Sequence, residues 1–222
     1  MTMPNVLLFH GFGVGPESLR KTVDAMEQNG FRVTAPSMVS FSIKEEDFFD
    51  PGKCVIEAEY ALLRFMEKSS CPFYLAGHSL GGTICAHLLT GRLTQKLREK
   101  VRGCAFLATP AGIDGNFLQF WQGVASQEVS WPFAVQVKMF SFLRQSDELY
   151  ENIMLPAVVV QGGRDRHIPP QSASTICSKI AGNCLGLITH AEADHFFVNG
   201  HGEAEIFLQQ KLIEFLIDYE AK

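Results

Sequence analysis

Several short stretches of this chain are apolar without interruption, and that constrains its fold more than any other feature. Asn5-Val-Leu-Leu-Phe9, Pro72-Phe-Tyr-Leu-Ala76, Gly103-Cys-Ala-Phe-Leu-Ala108 and Pro156-Ala-Val-Val-Val160 have the length of strands, and none alternates polar with apolar residues. A strand with one wet face alternates; a continuous run is the pattern of a parallel strand covered on both sides. Segments of helical period separate the runs. Pro16 opens one that Gly30 closes, and Asp50-Pro51 supplies an N-cap and a first-turn proline to another, which carries Val55, Ala58, Ala61, Leu62 and Phe65 on one face. With residues 31–35 and 184–188 as further strands, the alternation predicts an α/β fold of about six mostly parallel strands with helices on both faces. A last amphipathic helix, from about 202 to 219, should turn Ile206, Phe207, Leu212, Ile213, Leu216 and Ile217 toward the core.

At 222 residues and 46% hydrophobic content, the chain suits a single domain over 1–222. A formal net charge of -5 and no Lys/Arg cluster of the kind that would track phosphates argue against a nucleic-acid partner or an anionic lipid surface, and favour a small, neutral or apolar one. No apolar run approaches the ~20 residues of a membrane span, and the first residues lack the basic start of a signal peptide. Cys54, Cys71, Cys85, Cys104, Cys177 and Cys184 form no C-x-x-C and sit in apolar patterns, so they read as buried thiols of a reducing, cytoplasmic compartment. The widely spaced His190 and His195 make a poor metal pair, and no metal or cofactor is expected. Nothing in the sequence encodes an oligomeric state.

The unusual residues collect where the strands end. In an open parallel sheet ligands bind outside the carboxyl ends of the strands. The loops at those ends carry His10-Gly-Phe-Gly13, Gly77-His-Ser-Leu-Gly81, Gly163-Arg-Asp165 and Asp194-His195-Phe196. The second of these passes straight from strand to helix. A turn that sharp asks for positive φ at Ser79, and for glycine at 77 and 81 because a Cβ there would collide where strand and helix cross. A serine hydroxyl attacks only if a base takes its proton, and the imidazole needs a carboxylate to fix its tautomer. Ser79, His195 and Asp165 supply those three groups. The attacked carbonyl also needs two donors at its oxygen, and the backbone N–H groups of Phe12 and Leu80 are the candidates.

Residues 114–153 break the alternation. Phe117, Phe120, Trp121, Trp131, Phe133, Phe140, Phe142 and Tyr150 fall there, a third of the chain's aromatics in less than a fifth of its length. Phe117, Phe120, Trp121 and Val124 fit one face of a short helix. This aromatic-rich cap insertion should pack on itself and roof an apolar pocket, with Phe117, Trp121, Trp131 and Phe196 against the substrate.

In their order along the chain, these motifs resemble the α/β-hydrolase fold, with nucleophile, acid and histidine following one another. The likeness covers nearly the whole chain. Within that superfamily it is most similar to small bacterial carboxylesterases and monoacylglycerol-lipase-like esterases, through Leu8-Phe-His-Gly-Phe12, Gly30-Phe-Arg-Val33 and Val159-Val-Gln161. The resemblance implies a serine hydrolase that cleaves carboxylic esters with an apolar moiety through an acyl-enzyme, with Ser79, Asp165 and His195 as triad and Phe12 and Leu80 as oxyanion hole. A thioesterase or lysophospholipase would use the same residues. A carbon-carbon bond hydrolase would need cations for a substrate carboxylate, for which the insertion offers Lys138 and Arg144. A non-catalytic ligand-binding version is the remaining alternative.

The chain begins directly at the strand expected to bear the oxyanion loop, so the one or two antiparallel strands that open many members are expected to be absent or truncated. Asp114 lies where some relatives place the acid, but Asp165 matches the commoner arrangement. Asp194 adjoins His195, and adjacent side chains diverge. His10 should brace its loop, His78 and His87 should be structural, and His167, His190 and His201 belong at a rim or in solvent.

Overall fold

The computed structural model describes residues 3–41, 49–69, 71–91, 93, 95, 97, 99–125, 131–197 and 203–220. The apolar runs become β1 (Asn5–Phe9), β3 (Phe73–His78), β4 (Val101–Leu107) and β5 (Ala157–Gly162), joined by β2 (Arg32–Thr34) and β6 (Cys184–His190). All pair in parallel, in the order β2-β1-β3-β4-β5-β6. Every residue of β1, β3 and β5 is buried, which is why these strands read as unbroken apolar runs. The edge strands β2 and β6 are partly exposed and alternate. From β1 the chain adds β2 on one side and β3 on the other, so the crevice where strand order reverses opens between β1 and β3.

Helices α1 (Arg20–Gln28), α2 (Pro51–Lys68), α3 (Leu80–Thr90), α4 (Gly115–Phe120), α5 (Phe133–Ser146), α6 (Gln171–Ile180) and α7 (Glu203–Glu220) cover the sheet. On one face Leu7, Phe9, Phe73, Leu75, Phe106 and Val159 pack with side chains of α2, α3, α5 and α6. On the other, Val6, Leu8, Tyr74, Ala105 and Val158 meet Met26 of α1 and Leu212, Ile213 and Leu216 of α7. The Asp50 carboxylate caps α2 by accepting from Gly52 N and Lys53 N, and Pro51 takes the first turn, as the sequence predicts. The helix from Pro16 begins as a 3-10 turn, Pro16–Leu19, before α1.

Two expectations change. α7 buries a narrower stripe than its period suggests: Leu212, Ile213 and Leu216 are buried, whereas Phe207 is 38% and Ile217 46% exposed. Ile206, Val124 and His201, also named above, have side chains outside the described residues. The cysteines are not uniformly free. Cys177 at the end of α6 and Cys184 at the start of β6 form a disulfide, because the turn between them brings their Cα atoms to 5.3 Å. Cys54, Cys71, Cys85 and Cys104 are thiols, so the cysteine set no longer argues for a reducing compartment. Among the described residues no helix is long and apolar enough to cross a membrane.

Candidate active site

Ser79 sits between β3 and α3 with φ 53° and ψ -122°. That left-handed strain is held from several sides. Ser79 N donates to Leu107 O at 2.8 Å, fastening the turn to the end of β4. A Cβ at Gly77 would run into the Gly81 carbonyl, and one at Gly81 would run into the carbonyls of Phe9 and His10, so the sequence's glycines are required by backbone contact between β3, α3 and β1. Gly11 approaches the same point: a Cβ there would lie 3.2 Å from Ser79 Cβ.

Asp165 follows β5 and is 3% exposed. Its Oδ1 accepts from His167 N at 2.8 Å and Ile168 N at 2.9 Å. Its Oδ2 accepts from Gln161 Nε2 at 2.8 Å and lies 2.8 Å from His195 Nδ1. Burial alone would raise this carboxyl; the neighbouring His195 and the amide hydrogen bonds outweigh it and hold the group below its ordinary value. An ionised carboxylate at Nδ1 leaves Nε2 of His195 as the free ring nitrogen. Asp114 is elsewhere engaged: its carboxylate caps α4, accepting from Phe117 N at 2.7 Å. Asp194 Oδ1 accepts from Phe196 N at 2.9 Å, shaping the loop that presents His195.

Two supporting residues, His78 expected to be structural and Gln161 noted only as part of a motif, have partners the sequence did not name. Gln161 is a lone polar side chain ending an apolar strand, 1% exposed, and it orients the Asp165 carboxylate. His78, fully buried, donates from Nε2 to the carbonyl of His195 at 2.8 Å. Burial first, and the nearby His195 second, push His78 down to about 3, so it stays neutral and keeps that donor. His10 braces its loop as expected, with Nε2 accepting from Met38 N at 3.0 Å. His87 lies under the insertion, stacked on Phe142 with ring centroids 4.6 Å apart, and burial lowers it to about 4. The His167 ring lies 4.7 Å from that of His195.

A cavity of about 210 Å³ lies over these groups. Gly11, Phe12, Ser79, Leu80, His167 and His195 line its floor, and Phe117, Trp121, Trp131, Met139, Phe140, Leu143 and Phe196 its walls and roof. All four aromatic pocket residues named from the sequence therefore border it, while Lys138 and Arg144 do not and are exposed. The rings hold one another: Trp131 meets Phe12 edge-on at 5.2 Å and lies tilted against Trp121 at 5.2 Å, and Trp121 meets Phe140 edge-on at 5.1 Å. Among the described residues the N–H groups of Phe12 and Leu80 donate to no backbone acceptor, and Leu80 is the first residue of α3, where such groups lack an intrahelical partner. No hydrogen bond joins Ser79 to His195 among the described residues; such contacts often tighten only around a bound substrate.

Ligand atoms of Asp165, His167 and His195 lie within 4.8 Å of one another. The Asp165 oxygens already serve the His195 ring, Gln161 and two amides, an arrangement suited to fixing an imidazole.

Solved structures share this architecture. A metagenome-derived lipolytic enzyme, from work on LipS and LipT, superposes with a TM-score of 0.71 at 14% identity, over 98% of this chain and 94% of that one. The monoacylglycerol lipase of Paleococcus ferrophilus gives 0.69 at 16% identity, over 99% and 97%. Est1E from Butyrivibrio proteoclasticus gives 0.71 at 16%, over 100% and 90%. These likenesses concern the fold. No curated protein matches the sequence significantly. A family model described as alpha/beta hydrolase fold matches residues 4–143, from β1 through the serine turn and most of the insertion. By that match and by a parallel sheet whose loops gather at one crevice, the chain belongs to the alpha/beta hydrolase fold family.

Proposed function

We propose that the protein is a serine hydrolase that cleaves carboxylic esters with a short apolar acyl group. The observation that carries this reading is the His195 Nδ1–Asp165 Oδ2 contact of 2.8 Å beside the same cavity that exposes Ser79. Ser79 Oγ attacks the carbonyl while His195 Nε2 takes its proton, and Asp165 stabilises the imidazolium. The N–H groups of Phe12 and Leu80 receive the negative charge on the carbonyl oxygen, worth about 3 kcal/mol per donor. His195 then gives the proton to the departing alcohol, which leaves an ester between Ser79 and the acyl group. Water, deprotonated by His195, attacks that ester; His195 returns the proton it took to the departing Ser79 oxygen, the water's other proton stays on the new hydroxyl, and a carboxylic acid leaves.

The cavity favours the apolar side of the substrate. At about 210 Å³ it holds the volume of about seven waters, which suits a short or medium acyl chain. Its aromatic walls offer no cation to a substrate carboxylate, which weighs against carbon-carbon bond hydrolysis of an acidic substrate.

The test uses p-nitrophenyl esters of graded chain length together with a fluorophosphonate probe. The wild type should label at Ser79 and turn over short esters fastest; Ser79→Ala should lose labelling and about a million-fold in kcat. Normal turnover by Ser79→Ala would end this reading.

A further inference from the structure

A larger cavity lies away from Ser79 and, among the described residues, shares no lining residue with the site above. It is a groove of about 1210 Å³ between the sheet's edge and α2. One wall is a single face of that helix: Lys53, Glu57, Tyr60, Arg64 and Lys68 recur at intervals of three or four residues. The floor is the sheet face at β1 and β2, where Arg32 and Thr34 point into the groove.

Three observations specify an occupant. First, β2 is an edge strand. Arg32 N donates to Pro4 O on the β1 side, and neighbouring residues of a strand aim their amides to opposite sides, so Val33 N–H and C=O face outward from the sheet. An edge of this kind is a template for another strand. Second, the groove is basic in a chain whose net charge is -5. Arg32, Lys53, Arg64 and Lys68 are all exposed, and among the described residues none is paired with a carboxylate. Among the described lining residues the one acid, Glu57, is already occupied by Val39 N, Ser40 N and the Ser40 hydroxyl. Third, the wall between the cations is apolar, with Ile56 49% and Tyr60 62% exposed.

We infer that this groove binds an extended acidic segment of a partner protein, which adds as a strand beside β2 and turns acidic side chains toward α2. Lys53 and Lys68 are fifteen residues apart, about 22 Å along a helix, the length of about seven residues of strand. Main-chain bonds to Val33 give the register, and carboxylates at alternate positions meet the cations. A phosphate backbone would satisfy the charges but would use neither the strand edge nor the apolar wall. This function is separate from ester cleavage.

The probe is a fluorescein-labelled heptapeptide alternating glutamate and valine, followed by polarisation against the full chain at low salt. Saturable binding is expected, weakened at least ~10-fold by the exposed-site double variant R64E/K68E, with ester turnover unchanged. N-methylation of the central peptide amides should weaken binding by a similar factor, because it removes strand pairing while keeping every charge. Absence of saturable binding would overturn the proposal. So would equal binding of a lysine–valine peptide, indifference to N-methylation, or retention of affinity in R64E/K68E when circular dichroism shows it folded. Displacement of the peptide by oligo-dT, or a self-dimer in sedimentation that R64E/K68E abolishes and the peptide cannot displace, would assign the groove to another occupant.

Discussion

The floor and the roof of the Ser79 cavity are built in different ways. The floor is fixed by backbone: glycines that admit no Cβ, a serine at φ 53°, and a carboxylate held by two amides and two side chains. The roof is fixed by rings in contact at 5–6 Å. Hydrogen bonds and backbone contacts are directional, whereas ring packing tolerates substitution at some cost in volume. In the proposed function, the chemistry that needs one geometry sits on the floor and the choice of substrate sits in the roof.

That contrast can be broken at several points. Gly81→Ala forces a Cβ against two carbonyls of the β1 end and should cost about 4 kcal/mol or more, read as a fall in urea midpoint; a near-neutral result would show that the floor yields. Acid should find sensitive histidines in both regions. His78, at about 3, and His87, at about 4, are held neutral in the fold, below the 6.5 of an unfolded histidine. The unfolded chain therefore takes up protons first. Their contribution is complete above pH 6.5 and is lost as pH falls toward those values, by about 2 kcal/mol each between pH 6.5 and 5. Urea titrations across that window should show the loss, and His87→Gln should remove its share alone.

Smaller effects separate rate from specificity. Gln161→Leu takes one donor from the ionised Asp165, and kcat should fall about 10- to 100-fold with KM little changed. Trp121→Ala enlarges the roof, and kcat/KM should shift about 10-fold from butyrate toward decanoate esters with the short-chain kcat preserved. A loss of kcat on every ester would mean that the roof also positions the floor, through the contact of Trp131 with Phe12.

The floor was legible in the sequence because its signals are local. Continuous apolar runs give buried strands, and glycines flanking Ser79 give a turn that other residues cannot make. The supports were not legible. His78 acts on a partner 117 residues away, Gln161 on one four residues on past the turn after β5, and a lone polar residue in an apolar strand does not name its partner. The Cys177–Cys184 pairing depends on how α6 turns into β6, and six intervening residues encode no motif. Periodicity overstated the buried face of α7 because it reports which side is apolar and not how wide a surface waits for it. The basic groove was hidden for a related reason: its four cations are scattered from Arg32 to Lys68 and meet only when helix and edge strand lie side by side.

In the proposed mechanism, the bond from His78 to the His195 carbonyl bears on the proton's path from Ser79 to His195. His78 is the residue immediately before Ser79, so the strand that carries the hydroxyl also grips the main chain of the imidazole meant to relieve it. A shift of the β3 end then displaces donor and acceptor together, and the span the proton must cross is set at one strand end, not by two loops moving independently.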